Sequence, residues 1–357
     1  MWVKIEKNQQ FVPATNWLPG LTFGRIIAHY LMIVENTKGK PKEFNLKSIL
    51  LPIEKHFMLK FLKGLNEEQR EAVIAADGPV MVIAGAGSGK TRVLTYRIAY
   101  LLANKVDPFN ILALTFTNKA AREMKERVMK LVGDEQGRNV WMGTFHSIFA
   151  RILRIDGGKL GFPSNYTIYD SDDSKRLIRQ IIKEKELDNK VYQPSFVAHR
   201  ISMAKASLIN AEDYSNSPDI LSADESSRKP LIKDIYRSYE NRLKRADAMD
   251  FDDLLFNTFI LFRDFPDVLY KYQQKFKYVM VDEYQDTNHA QYLILNKLAA
   301  LNENICVVGD DAQSIYAFRG ASISNMLNFK HDYPDYQLFK LEQNYRSSKN
   351  IVAAATR

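Results

Sequence analysis

Residues 84–91 read AGAGSGKT and follow the apolar run Val80-Met81-Val82-Ile83. An apolar strand that breaks into a glycine-rich turn and then a helix points to one class of fold. The turn aims several backbone N–H groups, and the positive end of a helix, at a single anion. Gly85, Gly87 and Gly89 let the backbone bend tightly beside it. Lys90 adds a full charge suited to β- and γ-phosphates, and Thr91 supplies a hydroxyl for Mg²⁺. The usual pattern opens on glycine, and here Ala84 holds that place. The run Ala84, Gly85, Ala86, Gly87, Ser88, Gly89, Lys90 and Thr91 is thus expected to form a nucleotide-phosphate loop.

Similar apolar runs recur between helical patterns, at 80–84, 111–115, 140–144, 278–281 and 305–308. Runs apolar at every position suit a parallel sheet buried on both faces. The helix after the phosphate loop carries Val93, Leu94, Ile98, Leu101 and Leu102 on one face. The helix after the second strand carries Ala121, Met124, Val128 and Leu131. Strands alternating with such helices predict a doubly wound α/β domain.

Residues 152–246 break this alternation. Leu177, Ile178, Ile181 and Ile182 form one helical stripe, and Ile232, Ile235, Tyr236, Tyr239 and Leu243 form another. The polar stretch from Ser215 to Ser227 reads as a loop between them. This region is expected to be a helical insertion. Lys175, Arg179 and Lys183 share one helix face, which suits a solvated surface or a stripe that tracks phosphates.

A chain of 357 residues exceeds one ordinary core, so two or three domains are expected. It carries no apolar run near the roughly 20 residues of a membrane span. Its N-terminus lacks the layout of a secretory signal. The single cysteine, Cys306, excludes internal disulfides and lies in an apolar run, as a core residue does. These features fit a cytoplasmic protein without membrane contact. The net charge of +8 is compatible with a nucleic-acid partner.

Two further strand ends bear on the phosphate loop. Tyr278-Val279-Met280-Val281 ends in Asp282-Glu283, which places two carboxylates at the sheet edge that carries the loop. Asp282 suits Mg²⁺, and Glu283 suits the polarising of an attacking water. The run at 305–308 continues as Gly309-Asp310-Asp311-Ala312-Gln313. A glutamine there can bond a γ-phosphate or the attacking water, or can simply form a turn.

Eight segments then follow in order: LNEEQREAV, AGAGSGKT, LTFTNKAAREMKERV, GTFHS, MDFDDLL, VDEYQDTNHAQY, VGDDAQSIYAFRGA and LEQNYRS. This set resembles the UvrD/PcrA/Rep group of superfamily 1 DNA helicases from about Leu65 onward. The resemblance implies a RecA-like P-loop NTPase core with a helical insertion, using ATP and Mg²⁺. It implies a 3′-to-5′ motor on single-stranded DNA and on single/double-strand junctions. Gln69 would read the adenine edge and Arg92 would lie beside the nucleotide. Gln313 would couple the γ-phosphate to DNA, Tyr345 would stack on the base, and Arg346 would reach the γ-phosphate. Phe116, Tyr316 and Phe318 would touch single-stranded DNA, with Thr144, His146 and Arg319 nearby. Aromatic faces stack on any base, as a translocating motor requires. The group usually has tryptophan where Phe318 stands. For each aromatic the alternative is a packed core residue, and for His146 a helix-start residue bonded to backbone.

The resemblance divides the chain into an extension at 1–57, first-core segments at 58–151 and 247–335, the insertion at 152–246, and the start of a second core at 336–357. On that division the chain lacks most of the second core. It is then expected to be a weak ATPase without unwinding activity. The alternatives are a non-catalytic binder of nucleotide or single-stranded DNA, and the motor portion of a helicase–nuclease.

Overall fold

A computed structural model describes residues 2–4, 11–13, 59–310, 313 and 324–348, with side chains from residue 61 onward. The chain divides into two compact units, Met1–His56 and Phe57–Arg357. In the first, β1 (Trp2–Lys4) pairs antiparallel with β2 (Phe11–Pro13). The rest of the expected extension lies outside the described residues, as do Tyr316, Phe318 and Arg319.

Among its described residues the second unit holds eight strands. They are β3 (Val80–Ala84), β4 (Ile111–Thr115), β5 (Trp141–Thr144), β6 (Thr167–Tyr169), β7 (Ala248–Asp250), β8 (Tyr278–Val281), β9 (Ile305–Gly309) and β10 (Gln337–Leu341). β6 and β7 pair only with each other, while the other six form one parallel sheet ordered β10-β3-β9-β8-β4-β5. The five runs read as buried strands all lie in this sheet. Side chains along a strand alternate between its faces. Met81, Leu112, Leu114, Val279, Val281, Ile305 and Val307 enter one core, and Val80, Val82, Ile111, Ala113, Met280, Cys306 and Val308 enter the other. β3, β4, β8 and β9 are apolar at almost every position because both faces are covered.

One cover is built by α1 (Glu67–Ile74), α2 (Lys90–Ala103) and α3 (Asn118–Val132). Val93, Leu94, Ile98, Leu101 and Leu102 of α2 are all buried there, as are Met124 and Val128 of α3. Arg97 is buried in α2 and donates to Ala72 O and Ala76 O at 2.7 and 3.1 Å. It thereby satisfies carbonyls that the end of α1 leaves open. The short α4 (Asp134–Asn139) leads into β5, and α5 (Phe145–Asp156) begins the opposite cover.

The insertion starts and ends at one point, because β6 pairs with β7 in register, Thr167 beside Ala248. α5 precedes this neck and packs into the sheet's core through Phe149, Ile152 and Leu153, so the insertion opens later than residue 152. Beyond the neck come α6 (Ser171–Glu184), α7 (Pro194–Ala206), α8 (Ala211–Asn216), α9 (Pro218–Ser226) and α10 (Ile232–Arg245). The stripes read on α6 and α10 meet in a separate core around Ile178, Ile181, Tyr236 and Tyr239. The stretch expected as a loop is instead mostly α8 and α9. Asn210 caps α8 through its side chain, and Pro218 opens α9 where its missing N–H costs nothing.

After the neck, α11 (Phe251–Asp264), α12 (Pro266–Lys275), α13 (His289–Ala299) and α14 (Ser324–Asp332) complete the second cover. β10 departs from the sequence expectation. Residues 337–341 do not open a second core but form an edge strand of the first sheet, Gln337 beside Val80 and Leu341 beside Ala84.

Candidate nucleotide site

The order β3-β9-β8 sets three strand ends side by side. β3 ends in the phosphate loop, β9 in Asp310 and β8 in Asp282. Neighbouring strands lie about 4.8 Å apart, so side chains from all three ends can converge.

They do converge. Lys90 is buried at the start of α2, and its Nζ donates to Ala84 O at 3.0 Å and to Asp310 Oδ2 at 3.4 Å. Thr91 Oγ1 donates to Asp282 Oδ2 at 3.2 Å. Asp282 is 2% exposed. Burial first, and the charge of Glu283 second, push its carboxyl up to about 6. A buried carboxylate beside a hydroxyl, with no lysine or arginine bonded to it among the described residues, suits a hard cation. Mg²⁺ takes one or two protein oxygens and completes its shell with phosphate and water.

The loop itself is shaped by Gly87 and Gly89, at φ of 76° and 95°, a region that side chains with a Cβ rarely adopt. Ser88 N and Ser88 Oγ both donate to Gly85 O, at 3.2 and 2.7 Å. Gln69 is buried, and its Nε2 donates to Ser88 O at 2.9 Å while Oε1 accepts from Asn66 N at 3.4 Å. Its amide therefore braces the phosphate loop here. Arg92 donates to Gly64 O at 2.8 Å and lies over the Tyr96 ring.

Glu283 follows β8 in the left-handed region, at φ 51°, a costly conformation for a residue with a side chain. Gln285 Nε2 donates to Glu283 Oε2 at 2.9 Å, and Gln285 Oε1 accepts from Asp310 N at 3.0 Å. One amide thus ties the end of β8 to the end of β9. Gln313 also donates to Asp310, so the expected sensor sits one carboxylate away from Lys90. Asp286 stands in the same group, and burial together with Glu283 pushes its carboxyl up to about 6.

The turn after β10 lies on the loop. Tyr345 N donates to Gly87 O at 2.9 Å, and Asn344 Nδ2 donates to Ala86 O at 2.8 Å. Tyr345 and Arg346 are exposed. Sequence reasoning missed Gln285, Asp310 and Asn344 as parts of the site. Each owes its place to strands that meet only in the folded sheet.

Of the expected DNA contacts, Phe116, Thr144 and His146 lie elsewhere on the same sheet edge. Thr144 ends β5 and caps α5, its Oγ1 accepting from Ser147 N at 3.2 Å. Phe116 is half-buried, with its ring 5.4 Å from that of Phe145. His146 packs edge-on against Phe251 at 5.7 Å, and burial lowers its pKa. A groove of about 380 Å³ opens beside Thr144 and Ser147, with Arg122 and Lys125 along its wall.

The family model described as the UvrD/REP helicase N-terminal domain matches residues 65–334. The chain belongs to the UvrD/REP helicase family. It is 50% identical over 299 residues to the ATP-dependent DNA helicase PcrA of Staphylococcus aureus, a match covering 84% of this chain and 40% of that protein. It is 48% identical over 299 residues to the PcrA of Staphylococcus epidermidis, with the same coverage. The chain thus spans about two fifths of the length of these relatives. The UvrD/REP match includes the phosphate loop, Asp282 and Asp310, and it ends before β10. No helix among the described residues is long and apolar enough to cross a membrane.

Proposed function

We propose that this chain carries the nucleotide-binding half of an ATP-dependent 3′-to-5′ DNA helicase. The observation that carries the reading is the meeting of Lys90, Thr91, Asp282 and Asp310 at three adjacent strand ends. The names of the PcrA relatives support it.

In this reading the backbone N–H groups of residues 85–91 cradle the β- and γ-phosphates, and Lys90 exchanges Asp310 for phosphate oxygen. Thr91 and Asp282 would hold Mg²⁺, which would supply positive charge against the phosphates. Glu283, steadied by Gln285, takes the proton of the attacking water. Gln313 reports the change at Asp310, and Arg346 approaches from the turn after β10. Phosphoryl transfer asks for positioning and electrostatic stabilisation more than covalent chemistry, which these residues can provide. Single-stranded DNA lies across Phe116, Thr144 and His146, stacking on aromatic faces and pairing phosphates with nearby basic residues.

An isolated polypeptide of these 357 residues is expected to bind ATP and to hydrolyse it slowly. The test is hydrolysis by the purified chain with and without single-stranded DNA, beside Lys90→Ala. No nucleotide binding, or hydrolysis that survives Lys90→Ala, would overturn the reading.

A further inference from the structure

Asn344 makes contacts that neither its neighbours nor the phosphate loop explain by themselves. Its Nδ2 donates to Ala86 O at 2.8 Å, at the crest of the loop. Its Oδ1 accepts from Arg346 N at 2.8 Å and from Ser347 N at 2.9 Å. One amide therefore holds the loop with its donor end and folds the following turn with its acceptor end. The fit is close. A Cβ added at Gly87 would stand 2.7 Å from both Asn344 Oδ1 and Arg346 Cβ. Tyr345 N adds a parallel bond to Gly87 O at 2.9 Å.

We propose that Asn344 is a positioning residue that fixes Arg346 against the phosphate loop, so that the guanidinium is placed by the state of the loop. The inference rests on the reading of this site as an ATP site. Phosphate entering the loop acts on the peptide units of residues 85–89. The carbonyls of Ala86 and Gly87 belong to those units, and Asn344 and Tyr345 follow them. Arg346 then moves with the loop and needs no separate docking event. The chemistry selects asparagine. Aspartate keeps both accepted bonds but has no donor for Ala86 O, and alanine keeps neither contact.

The proposal predicts a specific loss. Arg346 gives ATP an advantage over ADP, because only ATP has a γ-phosphate to meet. Losing the staple should remove that advantage and leave ADP binding intact. Affinities of the 357-residue chain for ADP and for a non-hydrolysable ATP analogue are measured by displacement of a fluorescent nucleotide. The proteins are wild type, Asn344→Ala, Asn344→Asp, Arg346→Ala and the Asn344→Ala/Arg346→Ala double variant, with thermal melts as fold controls. Asn344→Ala and Asn344→Asp should each lower the ATP-analogue-to-ADP preference by about tenfold, the scale of one or two lost hydrogen bonds. The double variant should equal Arg346→Ala, because coupled residues do not add.

Equal weakening of both nucleotides by Asn344→Ala, or additive effects in the double variant, would overturn the role of Asn344 while leaving the ATP site standing. A wild-type chain that binds neither nucleotide, or an Arg346→Ala variant that keeps its preference, would overturn the underlying reading and the proposal with it.

Discussion

Thr91 donates its hydroxyl hydrogen to Asp282 across 3.2 Å, joining the first turn of α2 to the end of β8. The carboxyl of Asp282 is held near pKa 6 by burial and by Glu283, against 3.8 for a free side chain. Between those values the folded chain keeps a proton that the unfolded chain has released. Stability therefore falls as pH rises from about 4 to about 6, and stays at the lower level above that range.

Asp282→Asn removes this ionisation and leaves a neutral side chain at every pH. The variant is expected to unfold at higher denaturant than wild type at pH 8, by on the order of 2 kcal/mol, and to lose the advantage near pH 4. Its Mg²⁺-dependent nucleotide binding should fall at the same time. Urea titrations at the two pH values, with nucleotide binding measured in Mg²⁺ and in chelator, check both halves. Identical pH profiles for the two proteins would refute the burial argument.

Lys205 is 1% exposed, and its ammonium meets Asp250 at 2.9 Å, Asp253 at 2.6 Å and Glu240 at 3.3 Å. Burial by itself would lower its pKa, but the three carboxylates raise it well above the ordinary value. Tyr239 OH also donates to Asp250, so this cluster bolts α7 and α10 of the insertion to the start of α11. Lys205→Met leaves the carboxylates without their cation and is expected to cost about 3–5 kcal/mol. Adding Asp253→Asn should recover part of that loss. A melting temperature unchanged by Lys205→Met would show that the carboxylates are relieved in some other way.

Thr144→Ala deletes the cap of α5 and is expected to cost about 1 kcal/mol, whereas Thr144→Ser should be nearly neutral. Loosening the first turn also releases His146, so the alanine variant should bind single-stranded DNA more weakly than the serine variant. Chemical denaturation and fluorescence anisotropy with an oligonucleotide separate the two effects. Equal DNA affinity in both variants would place the cap outside the binding surface.

Phe116→Ala is expected to weaken single-stranded DNA binding by about 1–3 kcal/mol, the scale of one stacked base. Because the ring also packs against Phe145, some stability should be lost as well. Phe116→Leu keeps much of that packing without a stacking face. It should restore stability but not affinity, and recovery of DNA binding by leucine would count against stacking.

The legible features were those whose cause is local. β3, β4, β8 and β9 are apolar at almost every position because both faces are covered, and that requirement shows in each short run. The phosphate loop and Asp282 were legible because each sits directly at a strand end. β10 was not. Its sequence Gln337-Leu338-Phe339-Lys340-Leu341 is half exposed, as an edge strand is, and carries no sign of which sheet it joins. α8 and α9 were hidden by polar composition, since short helices on a surface need few apolar residues. Asp310 and Asn344 escaped notice for another reason. Their partners lie 220 and 258 residues away along the chain, and only the strand order brings them together.

The register of β10 has a mechanical consequence. Leu341 ends beside Ala84, where the phosphate loop begins. The short turn beyond it is bonded to Ala86 and Gly87, so a phosphate held by the loop would meet its side chains at an effective concentration on the order of millimolar or higher. The same parallel ladder loads in shear. Tension along β10 would pass through the ladder into β3 and reach the loop at residues 84–91 along covalent and ladder bonds. A shift of β10 along the sheet would therefore also shift the turn that is bonded to Ala86 and Gly87.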